Sequence, residues 1–488
     1  MSLQEGPVAP SRPQPNKWVV LFTVVAMTFM STLDSSIVNI ALPVMQRELA
    51  ATAAGIQWVS TVYLLACCAT VLIFGRLGDA LGKVRLFQLG VALFTLGSLL
   101  CGLSTTLPVL ICARAVQGIG AASAMANNMG IVTEAFPTEQ RGRALGIVST
   151  FVSLGMMFGP TVGGMLVTAF PWESIFLINV PIGLAAFLVG LRTLPRDAVS
   201  GGRGGMDVAG AGAVLIVPAI VLLFCAVTFI TQGVTPAILA MLTCGIVLFG
   251  VFIAVERRAA HPLVQLDAFR NVPFSVNLVT MLICFSAVGA TEYLIPFFLQ
   301  DACGFSSSVS GLALTAIPLG MAAVGPISGA LSDRIGSALP CCVGLVIYAA
   351  GIAFTGSLPA TAPLAVIVSG MVFLAVGTGL FQSPNNSLVM GTVSHEHLGF
   401  AGSVVSLVRY LGMSLGVSCG TALLYGRMSA LAGRTVTTYA EGGQELFTAG
   451  FSFAFYVFAS LAFAGAVMTA AVSLRRRQAR RRARGQRA

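Results

Sequence analysis

Four charged residues fall inside long apolar stretches of this sequence: Asp34, Arg114, Glu292 and Arg409. A charged side chain inside a bilayer is costly unless it is paired or hydrated, so each of the four is a candidate functional residue. A carboxylate shielded from water binds a proton more readily, whereas a nearby arginine opposes protonation. This chemistry favours reversible proton binding, and we expect Asp34, Arg114 and Glu292 to take part in it.

The depths of these residues in the predicted helices decide which of them can meet. Asp34, Arg114 and Glu292 lie at similar distances from the outer ends of the first, fourth and ninth predicted spans, so an ion pair or a coupled network is geometrically possible. The alternative to proton binding is a structural role, in which the carboxylate of Asp34 or of Glu292 forms a fixed ion pair that locks two helices together. Arg409 lies towards the inner end of its span, where we favour a structural or gating role.

The chain as a whole has the composition of a polytopic membrane protein. Of its 488 residues, 56% are hydrophobic and only 9% are charged, and the mean hydropathy is +0.91, which excludes a water-soluble domain. We predict an all-α fold with about fourteen transmembrane helices. The eleven cysteines lie mostly inside the apolar stretches and are interpreted as small core residues, not as disulfides or metal ligands. The predicted regions are a tail (1–17), a six-helix bundle (18–191), a linker with two extra helices (192–271), a second six-helix bundle (272–474) and a basic tail (475–488).

The distribution of basic residues predicts the orientation of the chain. Most of the 27 Lys and Arg residues fall on the side of the two chain ends, and only Arg47, Arg427 and Arg434 fall on the other. Because basic residues collect in cytoplasmic loops, both termini are predicted to be cytoplasmic and the number of spans to be even. The net charge of +10 is concentrated in the C-terminal tail, which favours contact with anionic membrane lipids and not with nucleic acid. We see no cleavable signal peptide, so the first span is expected to remain part of the mature protein.

Patterns in the first half return in the second half at nearly constant offsets. Gly75, Asp79 and Gly82 are matched by Gly329, Asp333 and Gly336, and Gly155, Gly159 and Gly163 by Gly412, Gly416 and Gly420. Such a parallel repeat is typical of transporters that consist of two six-helix halves. The two extra helices carry no charge in their interiors and are interpreted as an insert at the bundle edge.

The string GRLGDALGKVR follows the predicted second span on the cytoplasmic side. Its glycines permit two helices to approach closely. Asp79 can cap the next helix or pair with a basic residue, and the basic residues fix the orientation of the loop on the cytoplasmic side of the membrane. A merely solvated loop would not need the glycines, so we interpret the string as a latch on an inner gate. The residues assigned to it, with its second copy, are Gly75, Asp79, Gly82, Lys83, Arg85, Asp333 and Arg334.

The string GMMFGPTVGG places glycines one helical turn apart on one helix. Small residues at this spacing let membrane helices pack backbone to backbone, and a proline bends the helix. Generic close packing explains the spacing equally well. The residues assigned to this motif are Gly155, Gly159, Pro160, Gly163 and Gly164.

Taken together, these strings resemble the major facilitator superfamily, specifically its fourteen-helix drug:proton antiporters. LDSSIVNIALP resembles the first-helix motif of that subfamily, QWVSTVYLL the opening of the second helix, RAVQGIGAA the fourth-helix proton-linked motif and FLINVPIG the sixth helix. GMMFGPTVGG resembles the signature that separates exporters from importers. In the second half the motifs are degenerate, and Phe373 occupies the place that corresponds to Arg114. Glu292 is less standard in this subfamily and is a candidate either for cation recognition or for binding a second proton.

The resemblance implies a proton-coupled exporter that works by alternating access and confers antibiotic resistance or exports a secondary metabolite. The implied partners are a small-molecule drug, protons and membrane lipids, with no cofactor beyond the proton gradient, in a monomer in the inner membrane of a bacterium. The Arg-, Ala- and Gly-rich composition is typical of a GC-rich genome and suggests an actinobacterial antibiotic exporter. Candidates for lining a substrate cavity are Asn39, Tyr63, Gln117, Tyr293 and Phe297, with core packing equally open for the last two.

Two other classes of function are weighed against export. A proton symporter that imports a small metabolite is the alternative within transport. A membrane enzyme or signalling protein is disfavoured because the sequence has no paired metal ligands, no nucleophile with a base, and no loop long enough for a catalytic domain. We therefore do not expect an enzyme.

Overall fold

The computed structural model describes residues 16–195, 197, 206–230, 235–258, 266–392 and 398–485. Within these ranges every regular element is helical, which confirms the predicted all-α class. The α-helices are α1 (Lys17–Glu48), α2 (Ala53–Leu81), α3 (Lys83–Gly102), α4 (Leu107–Ala135), α5 (Thr138–Ala169), α6 (Ser174–Leu177), α7 (Asn179–Thr193), α8 (Met206–Ile230), α9 (Pro236–Glu256), α10 (Val272–Phe297), α11 (Ser307–Leu314), α12 (Ala316–Ile335), α13 (Ala338–Gly356), α14 (Leu364–Met390), α15 (Leu398–Ala432) and α16 (Tyr439–Gly485). A 3₁₀ turn (Leu266–Arg270) precedes α10 and a π turn (Phe298–Ala302) extends it.

The described residues contain thirteen helical segments that are long and apolar enough to cross a membrane. Three of these segments join two pieces: α6 with α7, α10 with the π turn, and α11 with α12. The remaining helix, α8, contributes the shorter apolar run Val214–Ala226. With α8 the helices match the fourteen predicted from the sequence.

When α8 is counted with the thirteen segments, fourteen helical passes run along the chain, and this even number places the start of α1 and the end of α16 on the same side of the protein. We call this side the terminal face and the opposite side the far face. Residues 1–15 of the predicted N-terminal tail lie outside the described residues, and α1 begins at Lys17. At the other end, α16 continues as a helix to Gly485, into the region predicted as a basic tail.

Within each half of the protein, a row of glycines on one helix lets that helix pack closely against another helix of the same half. In the first bundle (α1–α7), a Cβ atom on Gly159 of α5 would collide with Ser36 of α1. In the second bundle (α10–α16), a Cβ atom on Gly416 of α15 would collide with the carbonyl oxygen of Ser286 on α10. Equivalent helix pairs therefore pack through equivalent glycines, as expected of a repeated six-helix unit.

The two inserted helices lie outside the two bundles. The ring of Trp58 on α2 lies 5.6 Å from the ring of Phe229 on α8, and Thr228 of α8 donates a hydrogen bond of 3.3 Å to Ser418 of α15. Helix α8 thus contacts one helix from each bundle, while α9 packs against α8 and is otherwise largely exposed. This arrangement agrees with an insert at the edge of the protein.

Contacts between the two bundles concentrate at the far face. Gln300 donates a hydrogen bond of 2.9 Å to the carbonyl of Ile40, and the Ala53 amide donates one of 3.0 Å to the carbonyl of Thr437. An ion pair of 3.6 Å joins Arg47 to Asp301. All of these residues lie near the far ends of their helices or in far-face loops, so the bundles are closed on that side.

Candidate functional site

A buried ion pair joins Asp34 of α1 to Arg114 of α4. Arg114 Nη1 lies 2.7 Å from Asp34 Oδ2, and the two side chains are 1% and 0% exposed. The other carboxylate oxygen, Asp34 Oδ1, accepts hydrogen bonds of 2.8 Å from Gln117 and from Asn179. Because a buried charge needs partners on every side, this carboxylate is held by three donors at once.

The partners of Arg114 and Gln117 extend this cluster to two further helices of the first bundle, α2 and α3. Arg114 Nε donates to the carbonyl of Val59 on α2 at 3.0 Å, and its guanidinium lies 4.2 Å from the centre of the Tyr63 ring. Gln117 Nε2 also donates to Ser98 on α3 at 2.8 Å. Side chains or backbone from α1, α2, α3, α4 and α7 therefore meet at this site.

The amide of Asn179 is the partner of Asp34 that the sequence analysis did not identify. It begins α7, directly after the short helix α6, and lies within the string FLINVPIG. Only the resemblance of that string to a sixth-helix motif pointed to this segment. A single asparagine in an apolar helix gives no further signal, because its partner lies far away in the sequence.

A central cavity lies between the two bundles, next to this cluster. Its volume is about 200 Å³. Helix α1 contributes a polar wall, and a methionine comes from each of α4, α5, α12 and α15. The polar residues of α1 are Ser31, Thr32, Ser35, Ser36 and Asn39, and the methionines are Met125, Met156, Met321 and Met413.

Glu292 and Arg409 are the acid and the base that line this cavity. No hydrogen bond or ion pair to Glu292 is found among the described residues, although the carboxylate shares a small polar void with Arg114. The Nε atom of Arg409 is buried and has no hydrogen-bond partner in the same part of the chain. The structure therefore brings Asp34 and Arg114 into contact and leaves Glu292 facing open space.

The five residues predicted to line a cavity divide into three groups. Asn39 and Tyr63 line the central cavity. Gln117 is buried in the Asp34 cluster. Tyr293 and Phe297 are 2% and 3% exposed, pack against each other with ring centres 5.1 Å apart, and do not line the cavity, which is the core-packing alternative.

The predicted antiporter motif lies where α5 passes between α1 and the second bundle. Cβ atoms on Gly155 and Gly159 would collide with Thr32 and Ser36 of α1, and one on Gly163 would lie 2.6 Å from side-chain carbons of Ile37 and Ile40. One on Gly164 would collide with the carbonyl of Ser307 on α11, in the second bundle. Pro160, between these glycines, lines the cavity. The motif thus forms both a packing stripe and part of the cavity wall.

The predicted gate residues lie at the terminal face. Gly82 has a φ of 109°, ends α2 and precedes α3, and Gly336 ends α12 with a φ of 85°. Lys83 pairs with Glu134 at 2.7 Å, whereas Arg85, Asp333 and Arg334 are exposed. Gly75 has open space beside it, and the side chain of Asp79 lies outside the described part.

Asp197 caps α3 beside this loop. Its two carboxylate oxygens accept hydrogen bonds from the amides of Val84 at 2.9 Å and Arg85 at 3.0 Å. These amides are in the first turn of the helix, where such donors have no partner within the helix. The segment after α7 therefore returns to the start of α3.

Comparisons with known proteins agree with this architecture. The chain is 34% identical over 405 residues to the riboflavin transporter RibZ of Clostridioides difficile, covering 82% of this chain and 87% of that protein. It is 33% identical over 419 residues to the tetracenomycin C resistance and export protein of Streptomyces glaucescens, covering 83% and 75%. A crystal structure of the peptide transporter POT with sulfate has the same fold, with a TM-score of 0.70 at 15% identity, over 93% of this chain and 94% of that one. Residues 24–417 match the Major Facilitator Superfamily, and the chain belongs to that family of membrane transporters.

Proposed function

We propose that this protein is a proton-driven exporter of hydrophobic small molecules, of the fourteen-helix drug:proton antiporter type, in the plasma membrane of a bacterium. The observation that carries the proposal is the buried pair of Asp34 and Arg114 beside a cavity between two bundles. The terminal face is the cytoplasmic face in this proposal, and the protein works as a monomer without a cofactor. Export of an antibiotic, with resistance as the result, is the biological role we assign to it.

Protonation of Asp34 is the step that couples the gradient to movement. The ionised carboxylate holds donors from α4 and α7, so it fixes α1 in the first bundle. A proton on the carboxylate removes its charge and converts one acceptor into a donor, which weakens its attraction for Arg114. The released α1 and α4 can then shift against their neighbours, and the polar wall of the cavity moves with α1.

The cavity suits a range of hydrophobic substrates. Methionine side chains are flexible and polarizable, so four of them from different helices adapt to ligands of different shape. The polar wall of α1 supplies hydroxyl and amide groups that can orient a ligand. A relative named for tetracenomycin C resistance and export supports an exporter of this kind.

The test is drug accumulation in a susceptible, efflux-deficient bacterium that expresses the chain, with and without a protonophore. We expect lowered accumulation of some hydrophobic antibiotics, and we expect the protonophore to restore it. The variant Asp34→Asn should abolish this export at unchanged membrane abundance, whereas the exposed control Asp267→Asn should retain it. Active export by Asp34→Asn would contradict the role of Asp34, and export that the protonophore does not affect would contradict proton coupling.

Proton-coupled import of a small metabolite is the second candidate, because one relative is named as a riboflavin transporter. Right-side-out vesicles separate the two directions. Uptake of a labelled metabolite driven by an acidic exterior favours import. Extrusion of a preloaded compound under the same gradient favours export.

A further inference from the structure

We propose that the central cavity selects amphiphilic zwitterions, with Glu292 binding a cationic amine and Arg409 binding an anionic group of the same molecule. This inference rests on the proposed transport function and names the substrate class of its cavity. It also assigns a binding role to Arg409, for which the sequence analysis favoured a structural or gating role.

The first argument is that both side chains line the cavity, and that neither has an oppositely charged partner among the described residues; Arg409 has only a distant ring contact, 6.0 Å from the centre of Tyr410. Among the described residues, no hydrogen bond or ion pair reaches Glu292, and the buried Nε of Arg409 has no acceptor. By contrast, the carboxylate of Asp34 has three donors. A charge that is partly shielded from water and left unpaired is costly, and a ligand of opposite charge relieves that cost.

The second argument concerns the separation of the two charges. Helices α10 and α15 run in the same direction and pack closely, with Gly289 against Met413. Glu292 lies beyond this contact towards the far face, and Arg409 lies before it towards the terminal face. At 1.5 Å per residue, the backbones of the two residues differ in depth on the order of 10 Å. This spacing separates the charges within the cavity and fits a ligand with its amine and its acid at opposite ends.

The third argument is the apolar part of the cavity wall. Helices α11 and α12 contribute apolar side chains to it, including Leu314, Ile317 and Met321, whereas α1 contributes polar ones. A ligand that joins its two charges by an aromatic or aliphatic body therefore matches the cavity. A simple lipophilic cation would leave Arg409 unpaired, and a simple anion would leave Glu292 unpaired.

The test uses three compounds with one aromatic scaffold: an amino acid zwitterion, its methyl ester, which is only cationic, and its N-acetyl derivative, which is only anionic. Binding is measured on purified protein in detergent, so the readout needs no proton gradient. We expect the wild-type protein to bind the zwitterion roughly tenfold more tightly than either derivative, as one additional charge-assisted hydrogen bond provides. Equal affinity for the three compounds, or a preference for the ester, would overturn the proposal.

Variants of Glu292 and of Arg409 test the contribution of each charge to binding separately. Glu292→Gln should reduce the affinity for the zwitterion to that for the N-acetyl compound, and Arg409→Gln to that for the ester. Glu292→Asp and Arg409→Lys keep the charges and should retain much of the preference, while the exposed pair Asp267→Asn and Arg270→Gln should leave it unchanged. If folded Glu292→Gln and Arg409→Gln retain the wild-type ranking, the assignment is wrong. Protonophore-sensitive export combined with such a result would leave the proposed function intact and reject only this inference.

Discussion

Asn179 Nδ2 lies 2.8 Å from Asp34 Oδ1, so the first residue of α7 holds the carboxylate that α4 also holds through Arg114 and Gln117. The contact joins residues 145 positions apart in the sequence. In the proposed mechanism, this contact makes α7 part of the unit that responds to protonation, although α7 itself carries no acid.

Replacement of this amide tests the role of the contact. In Asn179→Ala, a hydrogen bond to a charged group is lost, which costs about 1.5–3 kcal/mol. We expect proton-coupled transport to fall roughly tenfold or more, because α7 no longer holds the carboxylate of Asp34. The measurement is the initial transport rate in proteoliposomes under an imposed proton gradient. The control Asn385→Ala removes a buried amide without a partner in the described residues and should keep the wild-type rate. An unchanged rate in Asn179→Ala would contradict the proposed coupling through Asp34.

The close packing of α15 against α10 gives a second prediction. In Gly416→Ala, the added methyl group meets the carbonyl of Ser286, so the helices must separate. We expect a loss of about 1–3 kcal/mol of stability, as for an overpacked core. Gly426 lies on the same helix with nothing within 4 Å of its Cβ position, and Gly426→Ala should be neutral or slightly stabilising. Thermal unfolding in detergent compares the two, and equal melting temperatures would disprove the packing argument.

We expect the hydrogen bond from Gln300 to Ile40 to stabilise the closed far face more than the ion pair of Arg47 with Asp301. Gln300 is 6% exposed, donates to the carbonyl of Ile40 at 2.9 Å and accepts from Ser307 at 3.0 Å. Gln300→Ala should weaken the closed far face by about 1 kcal/mol and raise hydrogen exchange at the far end of α1 roughly fivefold. The side chain of Arg47 is 60% exposed, so Arg47→Ala should change exchange there less than about twofold. A larger effect of Arg47→Ala than of Gln300→Ala would reverse this ranking.

The cap on α3 gives a prediction at the terminal face. Asp197→Ala removes the acceptor for the amides of Val84 and Arg85 and should cost about 0.5–2 kcal/mol of stability. Asp267→Ala changes an acid that is 93% exposed and should have almost no effect. Thermal unfolding of the two variants provides the comparison. Equal stability of both variants would show that the cap contributes little.

The sequence predicted the all-α fold class, the repeat and the similar depths of Asp34 and Arg114, which made an ion pair between them possible. Charges stand out in apolar helices, but depth alone does not select the partner, since Glu292 lies at a similar depth and has no charged partner among the described residues. Gln117 was predicted to line the cavity; it lies three residues from Arg114 on the same helix face and donates to Asp34 instead.

Other parts of the site could not be predicted, for identifiable physical reasons. Tyr293 is next to Glu292 in the sequence, and adjacent helical residues point in different directions, so it packs in the core while Glu292 faces the cavity. The roles of Asn179 and Asp197 depend on contacts across more than a hundred residues, which no local pattern reveals. Phe373, at the position corresponding to Arg114, is 51% exposed, which local sequence could not decide.

Helix α8 touches α2 through Trp58 and α15 through Ser418, both in the far-face half of the protein. It therefore covers the seam between the two bundles on that side. In the proposed export cycle, opening of the far face leaves this seam shielded from the surrounding lipid. We therefore expect a molecule released there to leave into water and not sideways through this seam, so that the inserted helices hinder its immediate return through the membrane.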